Sequence, residues 1–124
     1  MKYFIRTATT LLLAGVMVLT GRGNEGAGSE KKKIELLIAH LESLKGAEFV
    51  RNGREYDAET AAKFLRGKWQ ARESDILTAA DFIDKVASVS TQSGQPYLIR
   101  FSDGREQKCA EYLREVLGRL PGGS

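Results

Sequence analysis

From residue 34 onward, apolar residues recur at two spacings, and these spacings divide the chain into elements. Ile34, Leu37, Ile38, Leu41 and Leu44 return at steps of three and four, marking one face of an amphipathic helix. Gly46 is well placed to end it. Two short runs then flank Asn52-Gly53, a strong hairpin signal because both central positions of a two-residue turn take positive φ. In that register Phe49 faces Tyr56, Val50 faces Glu55 and Arg51 faces Arg54. Asp57 caps a second helix, with Ala61, Ala62, Phe64, Leu65 and Trp69 available for its buried side.

A third helix starts at a variant capping box, Thr78 to Asp81, with Leu77 and Phe82 at the two positions of a hydrophobic staple. Phe82, Ile83, Val86 and Ala87 form its inward stripe. The polar stretch "SVSTQSGQP" is a loop. Tyr97, Ile99 and Phe101 then alternate onto one face of a second hairpin around Asp103-Gly104. Ala110, Leu113, Val116, Leu117 and Leu120 line a last helix, which Pro121-Gly122-Gly123 stops. The sum is a single α+β domain over residues 31–120, with about four helices and two short antiparallel β-hairpins in the order helix–hairpin–helix–helix–hairpin–helix. Residues 121–124 read as a disordered tail. "NGREYDAETAAKFLR" and "DGREQKCAEYLR" look alike, and we read them as two hairpin–helix units under similar rules.

The start of the chain follows a different pattern. "MKYFIR" is a short positive segment, "TATTLLLAGVMVLTG" an apolar one, and "RGNEGAGSE" a spacer. An apolar core of about 13 to 15 residues suits a secretion signal and falls short of a bilayer span. Residues 1–22 therefore read as a signal peptide and 23–30 as a flexible spacer, which predicts export to the periplasm. Leu19-Thr20-Gly21 resembles a lipoprotein signal, but Arg22 stands where the lipidated cysteine belongs, so no lipid anchor is expected. Membrane contact is then expected only through the leader, if it stays uncleaved.

Charge adds less than its total suggests. The formal net charge of +3 and the pI near 9.1 come from Lys2, Arg6 and Arg22 in the leader. Without those three, 16 of the 19 basic residues remain against 16 acidic ones, and the body is formally neutral. No basic stripe with interleaved aromatics is present, so nucleic acid is not an expected partner. Lys31-Lys32-Lys33 reads as a solvated helix end.

Candidate chemistry is sparse. Cys109 is the one cysteine, which rules out an internal disulfide, and it falls on the inner face of the last helix. His40 is the one histidine and has no partners at metal-ligand spacing, so neither a metal nor any other cofactor is expected. No phosphate loop and no nucleophile with a recognisable base appears, so we expect no enzyme. A small hydrolase using Cys109 and His40 is the remaining alternative.

Two stretches read as binding sites. Ser90, Thr91, Ser93, Gly94, Pro96 and Tyr97 combine hydroxyls, a flexible glycine, a fixed proline and an aromatic ring, suited to a glycan or peptide; the same loop also reads as plain punctuation. Ser93-Gly94-Gln95-Pro96-Tyr97 fits the Ser-Gly-x-x-Tyr loop of periplasmic lysozyme inhibitors, which makes inhibition of a cell-wall hydrolase an alternative function. The turn Arg51-Asn52-Gly53-Arg54 sets two like charges side by side. Their compensation is expected from Glu48, Glu55 or Asp57, or else from an external anion such as a carboxylate of the cell wall or of a partner protein.

Together "FVRNGREYDAETAAKFL", "TAADFI" and "STQSGQPYLI" resemble the YfeK-like family of small bacterial envelope proteins. The resemblance implies an exported fold unit and no particular chemistry. It also marks departures: Ala47 stands where members often carry cysteine, and Phe64 where they often carry histidine. The expectation is thus an exported, non-enzymatic binding or interaction module, working on an envelope protein or a cell-wall glycan or peptide.

Overall fold

In the computed structural model, which describes residues 28–121, the two hairpins are joined into one antiparallel sheet. Strands β1 (Glu48–Arg51) and β2 (Arg54–Asp57) form the first hairpin, and β3 (Leu98–Arg100) and β4 (Glu106–Lys108) the second. The order across the sheet is β2-β1-β3-β4, so β1 and β3 make a central seam in which Phe49 lies opposite Ile99. Four helices accompany them: α1 over residues 28–42, α2 (Ala58–Ala71), α3 (Ala79–Lys85) and α4 (Cys109–Arg119). A 3-10 turn, Glu73–Asp75, links α2 towards α3. The small α+β domain read from the periodicities is the observed architecture.

The predicted stripes converge on one core. Leu37, Ile38 and Leu41 of α1, Leu65 and Trp69 of α2, Phe82 and Ile83 of α3, and Leu113 and Val116 of α4 are all buried with Phe49 and Ile99. Burying such side chains contributes about 1.5–3 kcal/mol each, before the entropy of ordering them. The sheet's other face carries Glu48, Glu55, Arg100 and Glu106. Arg100 binds all three carboxylates there, at 3.4 Å for Glu48 and 2.9 Å for Glu106. Hydrogen bonding from Glu55, and then from Glu106, raises the pKa of the Arg100 guanidinium.

Local signals account for most element ends. Asn52 (φ 54°) and Gly53 (φ 78°) take the left-handed conformations that the two-residue turn requires. The second hairpin closes differently: Phe101 N–H donates to Arg105 O at 2.8 Å and Gly104 N–H to Phe101 O at 2.9 Å, leaving a three-residue loop. Asp57 accepts from Thr60 N–H at 2.8 Å and caps α2. The Thr78–Asp81 capping box is complete in both directions.

Three expectations need correction. Leu77 is 72% exposed, and Ile76, one residue earlier, is the one buried; the predicted staple therefore does not form. Gly46 (φ 73°) does not end α1, whose last helical residue is 42. It turns the chain into β1, where a Cβ would come within 3.1 Å of the Ser102 side chain. Residues 28–30, assigned to the spacer, are helical, and Glu30 explains why. One of its carboxylate oxygens accepts Ala79 N–H at 2.8 Å, at the first turn of α3, and the other accepts from Lys33 at 3.0 Å. The expected signal peptide, with Arg22, the rest of the expected spacer and residues 122–124 of the expected tail lie outside the described residues.

Candidate functional site

The turn between β1 and β2 reaches the loop that precedes β3. Ser93 donates its hydroxyl to Asn52 Oδ1, and Asn52 Nδ2 reaches Gln92 Oε1 at 3.5 Å. The two stretches singled out in the sequence, some forty residues apart, therefore meet. The loop is shaped from within. Ser90 N–H donates to Gln95 O at 2.9 Å, Gly94 N–H donates to Ser90 O at 2.8 Å, and Ser90 Oγ accepts from Gln92 N–H at 3.2 Å. With 1% of its surface exposed, Ser90 holds the loop and offers nothing to a ligand. Ser93 Oγ also accepts from Gln95 N–H at 3.2 Å, so its hydroxyl is committed on both sides.

Helix α2 supplies the third wall. Phe64 and Lys68 are one turn apart, hence on one face. The Phe64 ring meets Tyr97 edge to face, with centroids 5.9 Å apart and an interplanar angle of 89°. The guanidinium of Arg51 lies 4.5 Å from the Phe64 centroid. Lys68 Nζ donates to Tyr97 Oη and to the Val89 carbonyl, both at 3.1 Å, and stands 5.1 Å from the Tyr97 ring centre. Tyr97 itself is 6% exposed, pinned as well by Cys109 N–H donating to its carbonyl at 2.8 Å.

Two neighbouring hollows share Arg51, Phe64 and Tyr97 as lining residues. The inner one, about 120 Å³, is walled mainly by Phe49, Val50, Tyr56, Ala61 and Leu65. The outer one, about 440 Å³, opens past Lys63, Lys68, Thr91 and Gln92. Neither is lined by a carboxylate. Arg51 Nε is buried without a hydrogen-bond partner. The arrangement is a short groove with an apolar inner end and a cationic, aromatic rim.

The internal acids expected to offset Arg51 and Arg54 are turned elsewhere. Successive residues of a strand point to opposite faces, so Glu48 and Glu55 project away from the arginines and bind Arg100. Asp57 is occupied as the α2 cap. Among the described residues, neither Arg51 nor Arg54 forms an ion pair. Arg54 is exposed at the tip, opposite Arg51 in the ladder.

The remaining candidates lie apart from the groove. His40 Nε2 is 2.7 Å from Tyr112 Oη, and burial, followed by the nearby Arg119 charge, lowers its pKa. Cys109 is buried at the start of α4, where desolvation pushes its thiol up to about 12. No hydrogen bond or ring contact joins His40 to Cys109 among the described residues. No cluster of three or more potential metal ligands occurs among them either.

Sequence reasoning placed Phe64 on the buried side of α2, counted Thr91 among the loop hydroxyls, and passed over Lys68 and Gln92. The available signal was the four-residue step from Phe64 to Lys68, but which neighbour covers that face of α2 is a tertiary fact.

The profile of a family of unknown function (DUF5329) matches residues 28–121. The chain is also 41% identical over 68 residues to the uncharacterized protein YfeK of Salmonella typhimurium (strain LT2), a match covering 55% of this chain and 57% of that protein's length. No solved structure gives a match.

Proposed function

The chain belongs to the DUF5329 family of unknown function, and from that premise we propose a non-enzymatic binding module of the bacterial cell envelope, acting through the groove between α2, the 51–54 turn and the 90–97 loop. One observation carries this reading: two distant segments are tied together, through Asn52 and Ser93, around a groove with Arg51 and Lys68 at its rim and no carboxylate in its lining. Pockets of apolar walls with a few convergent polar groups are the usual form of a binding site. The polar groups at the rim bond to one another, and the buried Cys109 thiol stands outside the groove, which favours binding over catalysis. The envelope location rests on the leader read from the sequence. Among the described residues, no helix is long and apolar enough to cross a membrane.

Inhibition of a cell-wall hydrolase through Ser93-Gly94-x-x-Tyr97 would need those side chains to project outward. Ser93 bonds Asn52, and Tyr97 is buried beneath Lys68, so no observation favours that reading.

The test is photo-crosslinking in cells, with the reactive group at exposed Lys63 on the rim. Replacing Arg51 and Lys68 together by methionine should cut capture of the main adduct by about tenfold or more, since each loses a charge-assisted contact. Equal capture by the wild type and a double variant with an unchanged circular dichroism spectrum would sink the proposal.

A further inference from the structure

We infer that the groove takes the free C-terminal carboxylate of a peptide whose last side chain is apolar. The inference rests on the binding reading above and names the ligand class.

Size argues first. An apolar cavity of about 150 Å³ takes up a single benzene. The inner hollow, at about 120 Å³, therefore has room for one ring or branched aliphatic group and not for an acyl chain or a sugar. Charge argues second. Arg51 lines both hollows and keeps a buried Nε without an acceptor. Lys68 uses two of its three N–H donors, on Val89 O and Tyr97 Oη, and keeps one for a ligand. With no acid in the lining, these cations favour an anion, and a carboxylate matches the planar donor fork of arginine. Connectivity argues third. The anion belongs beside Arg51, immediately outside the apolar hollow, so it must sit within a few bonds of the apolar group. An α-carboxylate on an apolar residue has that connectivity. The outer hollow then leaves the preceding amide within the compass of Thr91 and Gln92, which supply a hydroxyl and a side-chain amide.

The experiment is an NMR titration of the isotope-labelled protein with four probes: N-acetyl-phenylalanine, N-acetyl-phenylalaninamide, acetate and octanoate. The expected result is saturable shifts at Arg51, Phe64 and Tyr97 with the first probe, and binding at least about tenfold weaker for its amide, which lacks the charge. Acetate should bind more weakly still, having nothing to fill the hollow. Arg51→Met should remove the preference for acid over amide. Ala61→Leu, which narrows the inner hollow, should remove the preference for N-acetyl-phenylalanine over acetate; Lys68→Met provides a second charge variant should Arg51→Met fail to fold. Equal binding of acid and amide, or of acetate and N-acetyl-phenylalanine, overturns the inference. Tighter binding of octanoate overturns it in favour of a fatty acid. If no probe binds while groove-dependent crosslinking persists, the ligand class is wrong and the binding module stands; if both fail, both readings fall.

Discussion

At the scale of single residues, a cation held at 4.5 Å over a ring gains part of what a carboxylate would give it, which lets Arg51 stand without an acid. The exposed tip position of Arg54 has the same effect by another route, because water screens it. The arginine pair was legible in the sequence, and so was its register, since Asn52-Gly53 fixes the turn and the turn fixes the ladder. The expectation that nearby acids would offset the pair overlooked strand parity, which turns Glu48 and Glu55 to the other face; the residue that meets them there, Arg100, arrives from a distant segment. Cys109 yields the prediction at this scale. Its thiol is raised from an ordinary 9.0 to about 12, so the unfolded chain loses the proton first. Stability from this group is therefore complete below about 9 and declines as pH climbs towards 12. Urea midpoints measured from pH 8 to pH 11 should fall more steeply for the wild type than for Cys109→Ala. Folded protein at pH 8 should leave the thiol unlabelled by a disulfide reagent that labels it fully in denaturant.

At the scale of elements, α3 is the one most dependent on its ends. Seven residues make too few intrahelical bonds to offset the cost of nucleation, so the capping box and the Glu30 contact matter more here than on longer α2. Thr78→Ala should cost about 1 kcal/mol in equilibrium unfolding, the usual consequence of losing a cap. The pH response runs opposite to that of the cysteine. Glu30 is lowered from 4.5, chiefly by the Ala79 N–H, and Asp81 from 3.8, chiefly by the Leu77 N–H. Their stabilisation is present above the ordinary carboxylate range and is lost as pH falls through their lowered values. Thermal midpoints should thus drop below pH 4, and by less in a Glu30→Gln, Asp81→Asn variant. Caps were readable because each is written within four residues. The Leu77 staple was misread because Ile76 and Leu77 are equally apolar, and only the path of the preceding 3-10 turn decides which points inward. Phe64 was legible only in part: it packs against the core as its spacing says, but the groups that lie over its ring include Tyr97 from the 90–97 loop.

At the scale of the whole molecule, each edge strand runs straight into a helix, β2 into α2 and β4 into α4, with β1 and β3 paired between them. The similarity of "NGREYDAETAAKFLR" to "DGREQKCAEYLR" is the sequence trace of these two hairpin–helix units. The periodicities showed each unit separately; nothing in them showed that the two share a sheet, because pairing between units leaves no local spacing. Ile99, fully buried on the seam, is the residue to probe. Ile99→Ala should destabilise the protein by about 2–5 kcal/mol. The loss should appear as a shift of one cooperative transition in fluorescence and circular dichroism alike; two separated transitions would mean that the units fold independently. The seam also sets an order of events for the nascent chain. Phe49 and Ile99 are about fifty residues apart, so while the chain is being synthesised β1 has its inner edge open until Leu98–Arg100 follows. Over that interval the first unit carries a bare strand edge beside the apolar Phe49, the kind of template that seeds aggregation, and the cell must keep it from finding another copy.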